Sequence, residues 1–142
     1  PVNARNVAHE RGIEIIESRS TRSRNYTSLL SVKLHSPDGD RWIEGAVFER
    51  TIPRLVLLDG IAVEAPLAGT MIVINNTDQP GVIGAIGTIL GRHNVNIANF
   101  ALGREGDSAV GVVIVDAPSV AEPVLDEIRN VQGIREVRLV RV

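Results

Sequence analysis

The sequence predicts an α+β protein in two parts: a small, mostly antiparallel sheet with one helix, followed by a ferredoxin-like βαββαβ domain. Alternating apolar runs separated by Asp-Gly turns fill most of the first part. In the second part, the patterns follow the order strand, helix, strand, strand, helix, strand. Pro and Gly punctuate residues 66–69, so we predict domains at residues 1–66 and 67–142.

The first part begins with a helical pattern and continues as strands. The run "VNARNVAHERG" carries a weak apolar stripe and ends at Gly12, a residue suited to closing a helix. Because this pattern starts at the first residue, we expect the first domain to be the remainder of a longer one. The predicted strands are residues 13–18, 28–36, 41–48 and two runs within 54–65, with turns at "PDGD" and at Asp59-Gly60.

The second part has the clearer pattern. Its predicted strands are residues 70–75, 96–104, 108–116 and 134–142, and its predicted helices are residues 82–92 and 122–130. In the ferredoxin-like order the first and third strands are central, and both are almost continuously apolar here. The last strand has arginines that protect a sheet edge, whereas residues 96–104 have few charges. We therefore expect a homodimer or homotetramer that pairs through the edge at 96–104.

Composition excludes several classes of function. The net charge is −2 and aromatic residues make up 3% of the chain, so nothing favours binding to nucleic acid or to an anionic membrane. The chain has no cysteine, which excludes disulfides, thiolate catalysis and cysteine-based metal sites. No apolar run approaches the ~20 residues of a membrane span. A cytoplasmic location is the default expectation.

The glycines of "DQPGVIGAIGTIL" do not match a phosphate loop. Neither GxxxxGK[ST] nor GxGxxG is present. On a helical projection Val82, Ile86, Ile89 and Leu90 share one face, and the interior glycines lie on the opposite face. These glycines are either tolerated surface residues or a bare stripe that packs against another helix.

The turn before this helix contains the more informative residues. Pro80 is expected in the first helical turn, next to free backbone N–H groups that favour an anion. Asp78 then has two interpretations: it caps the helix, or it pairs with the ammonium group of a bound amino acid. Asn76 and Asn96 lie on either side of the helix as amide partners, although Asn96 is equally suited to an ordinary turn.

The run "DQPGVIGAIGTIL" followed by "NVNIANF" resembles the ACT domain of amino-acid-regulated enzymes. The first part, through "VNARNVAHERGIEIIESRS" and "EGAVF", resembles the intervening domain of long-form bacterial D-3-phosphoglycerate dehydrogenases. Together the two parts resemble the C-terminal regulatory portion of that family over nearly the whole chain. The iron–sulfur L-serine dehydratases have a subunit with a similar pair of domains.

This resemblance implies a regulatory role rather than catalysis. In the dehydrogenase family, ACT domains pair edge to edge and bind L-serine in the interface as a feedback inhibitor. The implied ligand residues are Asn76, Asp78, Pro80, Gly81, Val82 and Asn96. Asn76 departs from the bulkier His or Tyr expected there.

Some relatives are proposed to bind an anion or the phosphorylated substrate in the intervening domain. The candidates here are Arg19, Arg22, Arg24 and Arg54. The ordinary interpretation of the first three is a solvated basic loop.

The resemblance places catalysis and the NAD cofactor in the rest of a parent oxidoreductase. Within this chain we expect no catalytic residue, no metal site and no cofactor. Two alternatives stay open: the regulatory part of an L-serine dehydratase, and a dimerisation module without a ligand.

Overall fold

The computed structural model describes residues 3–19, 26 and 28–142. Within these residues the chain forms three helices and two four-stranded antiparallel sheets, which confirms the predicted α+β class.

The first sheet has its strands in chain order. Helix α1 (Ala4–Glu10) precedes it, and its strands are β1 (Leu29–Leu34), β2 (Arg41–Phe48), β3 (Ile52–Leu58) and β4 (Ile61–Pro66). Asp59 and Gly60 both have positive φ angles, 49° and 86°, and they form the tight turn between β3 and β4. Such turns match the right-handed twist of paired strands, so the Asp-Gly signal led to the correct hairpin.

Residues 13–18 do not form the predicted strand, and that prediction is wrong. The segment has no regular secondary structure, and neither sheet of the described chain includes it. Ile16 is 85% exposed. An alternating apolar pattern supplies side chains for a sheet face but does not supply the partner that backbone hydrogen bonds require.

The second sheet has the predicted ferredoxin-like topology. Its elements are β5 (Thr70–Thr77), α2 (Val82–Arg92), β6 (Ile97–Glu105), β7 (Ser108–Val115), α3 (Glu122–Arg129) and β8 (Ile134–Arg141). The order β6-β7-β5-β8 makes the first and third strands central and the other two terminal, as the sequence predicted.

Strands β5 and β7 are buried on both faces. On one face Ile72 and Val113 pack with the helices α2 and α3. On the other face Met71 and Val112 pack with Leu55 and neighbouring residues of the first sheet. The second sheet therefore lies between its own helices and the first sheet, and the two parts of the chain share a core.

Helix α2 directs its glycines away from this core. Val82, Ile86, Ile89 and Leu90 are buried, as predicted. A Cβ added at Gly84, Gly87 or Gly91 would meet nothing within 4 Å. A helix packed against this bare stripe stays a prediction.

Gly103 is a point of close contact between the two sheets. Strand β4 crosses close to β6, and a Cβ at Gly103 would collide with the backbone oxygen of Ala62. The same Cβ would lie only 2.9 Å from Cβ of Val63. The absence of a side chain at this position therefore allows the sheets to approach.

We expect Gly103→Ala to destabilise the chain by about 1–3 kcal/mol, because backbone atoms have to move to admit the methyl group. Gly87→Ala is the matched control, since its Cβ enters open space in a helix and should stabilise by up to about 1 kcal/mol. Urea unfolding monitored by Trp42 fluorescence and circular dichroism measures both. A Gly103→Ala chain as stable as the wild type would contradict the close contact.

Candidate functional site

Helix α2 begins without a side-chain cap. Its N-cap residue is Gly81, which adopts a left-handed conformation with φ 91°, and the first helical hydrogen bond runs from Ala85 N to Gly81 O at 2.9 Å. The N–H groups of Val82, Ile83 and Gly84 therefore have no partner within the helix, and such groups favour an anion. Pro80 lies outside the helix rather than in its first turn, because Gly81 is the N-cap residue and Val82 the first helical residue.

Asp78 does not cap the helix, so the capping interpretation is wrong. Its carboxylate oxygen Oδ2 accepts from Nε of Arg104 at 2.7 Å and lies 2.6 Å from Nη2 of the same side chain. The hydrogen bond to Asp78, together with its negative charge, raises the pKa of Arg104 above its ordinary value. The backbone N–H of Asp78 donates to Asp107 O at 2.8 Å. These contacts fix the loop between β5 and α2 to the end of β6 and the β6–β7 turn.

A second loop holds this segment from the other side. Thr77 N donates to Gly133 O at 2.8 Å, and Gln79 Nε2 donates to Gln132 O at 3.0 Å. Asn76 is 6% exposed, and its Nδ2 donates to Thr77 O at 2.7 Å. The segment that contains the predicted ligand residues is therefore anchored by backbone contacts on both sides.

Asn96 lies at the opposite end of α2 from Asp78. The helix has 11 residues, and at 1.5 Å per residue it separates its two ends by about 16 Å. Asn96 Nδ2 donates to Asp116 Oδ2 at 2.7 Å, and Asp116 N donates to Asn96 O at 3.0 Å. Within one chain the structure brings Asn76, Asp78, Pro80, Gly81 and Val82 together but leaves Asn96 apart from them.

The sequence reasoning missed Arg104 as a neighbour of the predicted site. Strands β5 and β6 are each antiparallel to β7, so they run in the same direction and end on the same side of the sheet. Asp78 follows β5 and Arg104 is near the end of β6. The predicted ferredoxin-like topology already placed Asp78 and Arg104 at the same end of the sheet. Their opposite charges were the signal from which the ion pair could have been predicted.

The structure describes two of the four predicted anion-binding arginines, Arg19 and Arg54. Arg22 and Arg24 lie outside the described residues, and Arg19 is exposed. Arg54 Nε lies 3.1 Å from Glu64 Oε1, although it is not aligned for a hydrogen bond, and the guanidinium lies 5.8 Å from the centre of the Phe48 ring. Since Glu64 already offsets the charge of Arg54, anion binding here stays a prediction.

Glu136, on β8, connects strand β5 to the first sheet. It accepts from Asn75 Nδ2 at 2.9 Å on β5 and from Arg41 Nη1 at 3.1 Å on β2. Arg41 also lies 2.9 Å from Asp59, at the β3–β4 turn. Burial acts to raise the pKa of Glu136. Hydrogen bonds from Arg138, Asn75 and Arg41, together with the charge of Arg41, lower the pKa by more than burial raises it, so the net shift is downward.

No helix in the described part of the chain is long and apolar enough to cross a membrane. Those residues also contain no group of three or more His, Asp or Glu placed to hold a metal ion.

Two family models match the chain in sequence order. The D-3-phosphoglycerate dehydrogenase intervening domain matches residues 1–59, and the ACT domain matches residues 70–133. The unmatched stretch between them includes β4 and the predicted boundary at residues 66–69.

The chain is similar to D-3-phosphoglycerate dehydrogenases along its whole length. It is 37% identical to the enzyme of Archaeoglobus fulgidus, and the match covers 99% of this chain and 27% of the relative. It is 35% identical to that of Synechocystis sp., with 99% and 26% covered, and 30% identical to that of Bacillus subtilis, with 98% and 27% covered. The chain thus spans about a quarter of the length of these relatives.

Acid should weaken the contacts of Glu136. Because its pKa in the folded chain lies below the ordinary value of 4.5, its ionised form stabilises the fold above that pH, and this contribution is lost as the pH falls through the folded-state pKa. We expect Glu136→Gln to be less stable than wild type at pH 7 by about 1 kcal/mol, after allowing for solvent screening. The difference should narrow below pH 4.5.

Thermal unfolding across pH 3–8 measures this effect. Glu10→Gln, which changes an exposed carboxylate on α1, is the control and should follow the wild type. A constant difference between Glu136→Gln and wild type at every pH would contradict the assignment.

Proposed function

The chain belongs to the D-3-phosphoglycerate dehydrogenase family, and we propose that within such an enzyme it binds L-serine between two subunits as a feedback inhibitor. Its place there is the regulatory region, in which an intervening domain precedes an ACT domain. We place the oxidation of D-3-phosphoglycerate and the NAD cofactor in the remainder of the parent enzyme, in the cytoplasm. The chain itself has no GxGxxG fingerprint for a dinucleotide.

The start of α2 has the chemistry that an amino-acid zwitterion requires. The uncapped N–H groups after Gly81 suit the carboxylate of the ligand, and the helix dipole adds to that attraction. Asp78, four residues before the first helical residue, suits the ammonium group. Three residues, ending in the left-handed Gly81, separate Asp78 from the first helical residue, Val82, so the two groups are close along the chain.

One observation supports a site between subunits: Asp78 and Asn96 lie at opposite ends of α2, yet an antiparallel dimer through β6 brings them together. The strand runs from Ile97 to Glu105, so a two-fold axis at its midpoint, Ala101, pairs Arg104 with Ala98 of a second copy. The Asp78 end of one copy then lies beside the Asn96 end of the other. Asn76 of the first copy completes the group of amide and carboxylate side chains.

Inhibition requires that this site influence the rest of the enzyme. Glu136 contacts both Asn75, next to the predicted ligand residue Asn76, and Arg41 of the first sheet. A ligand that shifts the end of β5 therefore acts on a strand with a direct charged contact to the intervening domain. Coupling of this kind typically changes the affinity for one ligand by about 5–150-fold when the other ligand is bound. An anion bound by Arg54, on β3, would be a second input to the first sheet.

Two other functions are distinguishable from this one. The intervening-domain match and the names of the relatives favour a dehydrogenase over an L-serine dehydratase. A dimerisation module without a ligand would form the same β6 interface and would fail to bind L-serine.

L-serine should stabilise the wild-type chain against heat by about 2.7 kcal/mol at 100 times its Kd, whereas D-serine should have a much smaller effect. Asp78→Ala should abolish the shift because the ammonium group then loses its counter-charge. Asp107→Ala, a change to the adjacent turn that keeps the carboxylate of Asp78, is the control. An equal shift in Asp78→Ala and wild type would refute the serine site.

Mixed dimers extend this test to the inter-subunit geometry. Asp78→Ala and Asn96→Ala subunits, coexpressed with different tags, form heterodimers in which one site has both changes and the other has neither. Such heterodimers should bind about one L-serine per dimer, whereas each homodimeric variant should bind none. A site contained within one subunit predicts no recovery.

The oligomer should depend on β6 rather than on β8. Leu102→Lys places a charge on β6, where the leucine is 40% exposed, and should shift the dimer toward monomers without unfolding them. Leu139→Lys is the matched control on the other terminal strand, where the leucine is 38% exposed. Light scattering after gel filtration measures both. Dissociation by Leu139→Lys alone would place the interface on β8.

A further inference from the structure

Arg104 occupies the carboxylate that the proposed ligand requires. Its Nε and Nη2 both approach Oδ2 of Asp78, at 2.7 and 2.6 Å. We propose that Arg104 is an internal counter-cation that competes with the ammonium group of the effector for Asp78 and so sets the affinity of the site. This inference rests on the proposed function, and it adds a residue that weakens binding rather than a further ligand.

Exposure favours a replaceable cation over a fixed structural pair. The side chain of Asp78 is 21% exposed, so its charge is largely removed from water and benefits from a cation close by. In the single chain the side chain of Arg104 is 65% exposed, and the proposed pairing with Ala98 of a second copy uses its backbone, so its guanidinium can leave Asp78 at little cost. When the ammonium group of the ligand replaces Arg104 next to Asp78, the carboxylate of Asp78 still has a positive charge beside it.

The arrangement also selects the class of ligand. A compound with a carboxylate but no ammonium group can use the N–H groups at the start of α2, yet it offers nothing to displace Arg104 from Asp78. A zwitterion satisfies both. The ion pair therefore raises the effector concentration needed for binding and discriminates against simple hydroxy acids of the same shape.

Titration calorimetry with L-serine on the 142-residue chain tests this competition. Arg104→Gln removes the competing charge and should tighten Kd about two- to fivefold, the range expected from one exposed ion pair. Arg104→Lys retains a cation and should stay near the wild-type Kd. Arg5→Gln, which breaks an exposed pair with Glu17 in the first part of the chain, is the matched control and should change nothing.

A purely structural role for Arg104 predicts the opposite direction, weaker binding in Arg104→Gln. Absence of L-serine binding by the wild type would refute the proposed function together with this inference. Wild-type binding with an unchanged or weakened Kd in Arg104→Gln would refute the inference alone.

The Nε–H nuclear magnetic resonance signal of Arg104 gives a second, direct readout. The signal is assigned by its loss in Arg104→Lys. In the wild type it should shift when L-serine saturates the site, because Nε then leaves Oδ2 of Asp78. A signal that stays in place at saturation would overturn the competition.

Discussion

The burial of strands β5 and β7 on both faces is the constraint on which the rest of this structure depends. Helices α2 and α3 cover one face, and the first sheet covers the other. Because both faces are covered, the core fixes the positions at which the loops leave the sheet. The polar loop between β5 and α2, which contains Asp78, lies at the end of the sheet and outside this core. The same constraint explains the glycine at position 103, because only a residue without a side chain lets β4 pass so close to β6.

The polar groups at the sheet ends are mostly satisfied within one chain. Asp78 has Arg104, Asn96 has Asp116, and Glu136 has partners from both sheets. Buried and half-buried carboxylates generally need such partners, because leaving them unpaired is costly. A ligand therefore has to exchange one partner for another. This makes its affinity depend on what it displaces as much as on what it contacts.

Much of the fold was predictable from local patterns. The two failures have a common cause, which is that local patterns do not specify partners distant in the chain. The bounds of α2 and the order of the second sheet follow from apolar periodicity and from Gly and Pro punctuation. The segment at residues 13–18 has a strand-like pattern but finds no partner strand in the described chain, so the pattern alone misled. Asp78 has a residue type that caps helices, yet Arg104 supplies a stronger, charged partner, and Gly81 becomes the N-cap residue of a helix without a side-chain cap.

The sequence by itself determined the elements of this protein, the buried faces of its strands and helices, and the residue types that suit an amino-acid ligand. These properties are encoded by neighbours along the chain, through side-chain periodicity and backbone preference. Only the tertiary structure decided which charged groups meet, how closely the two sheets approach, and that Asp78 and Asn96 lie beyond opposite ends of α2, a helix about 16 Å long. Those outcomes depend on strand direction and on contacts between residues distant in sequence.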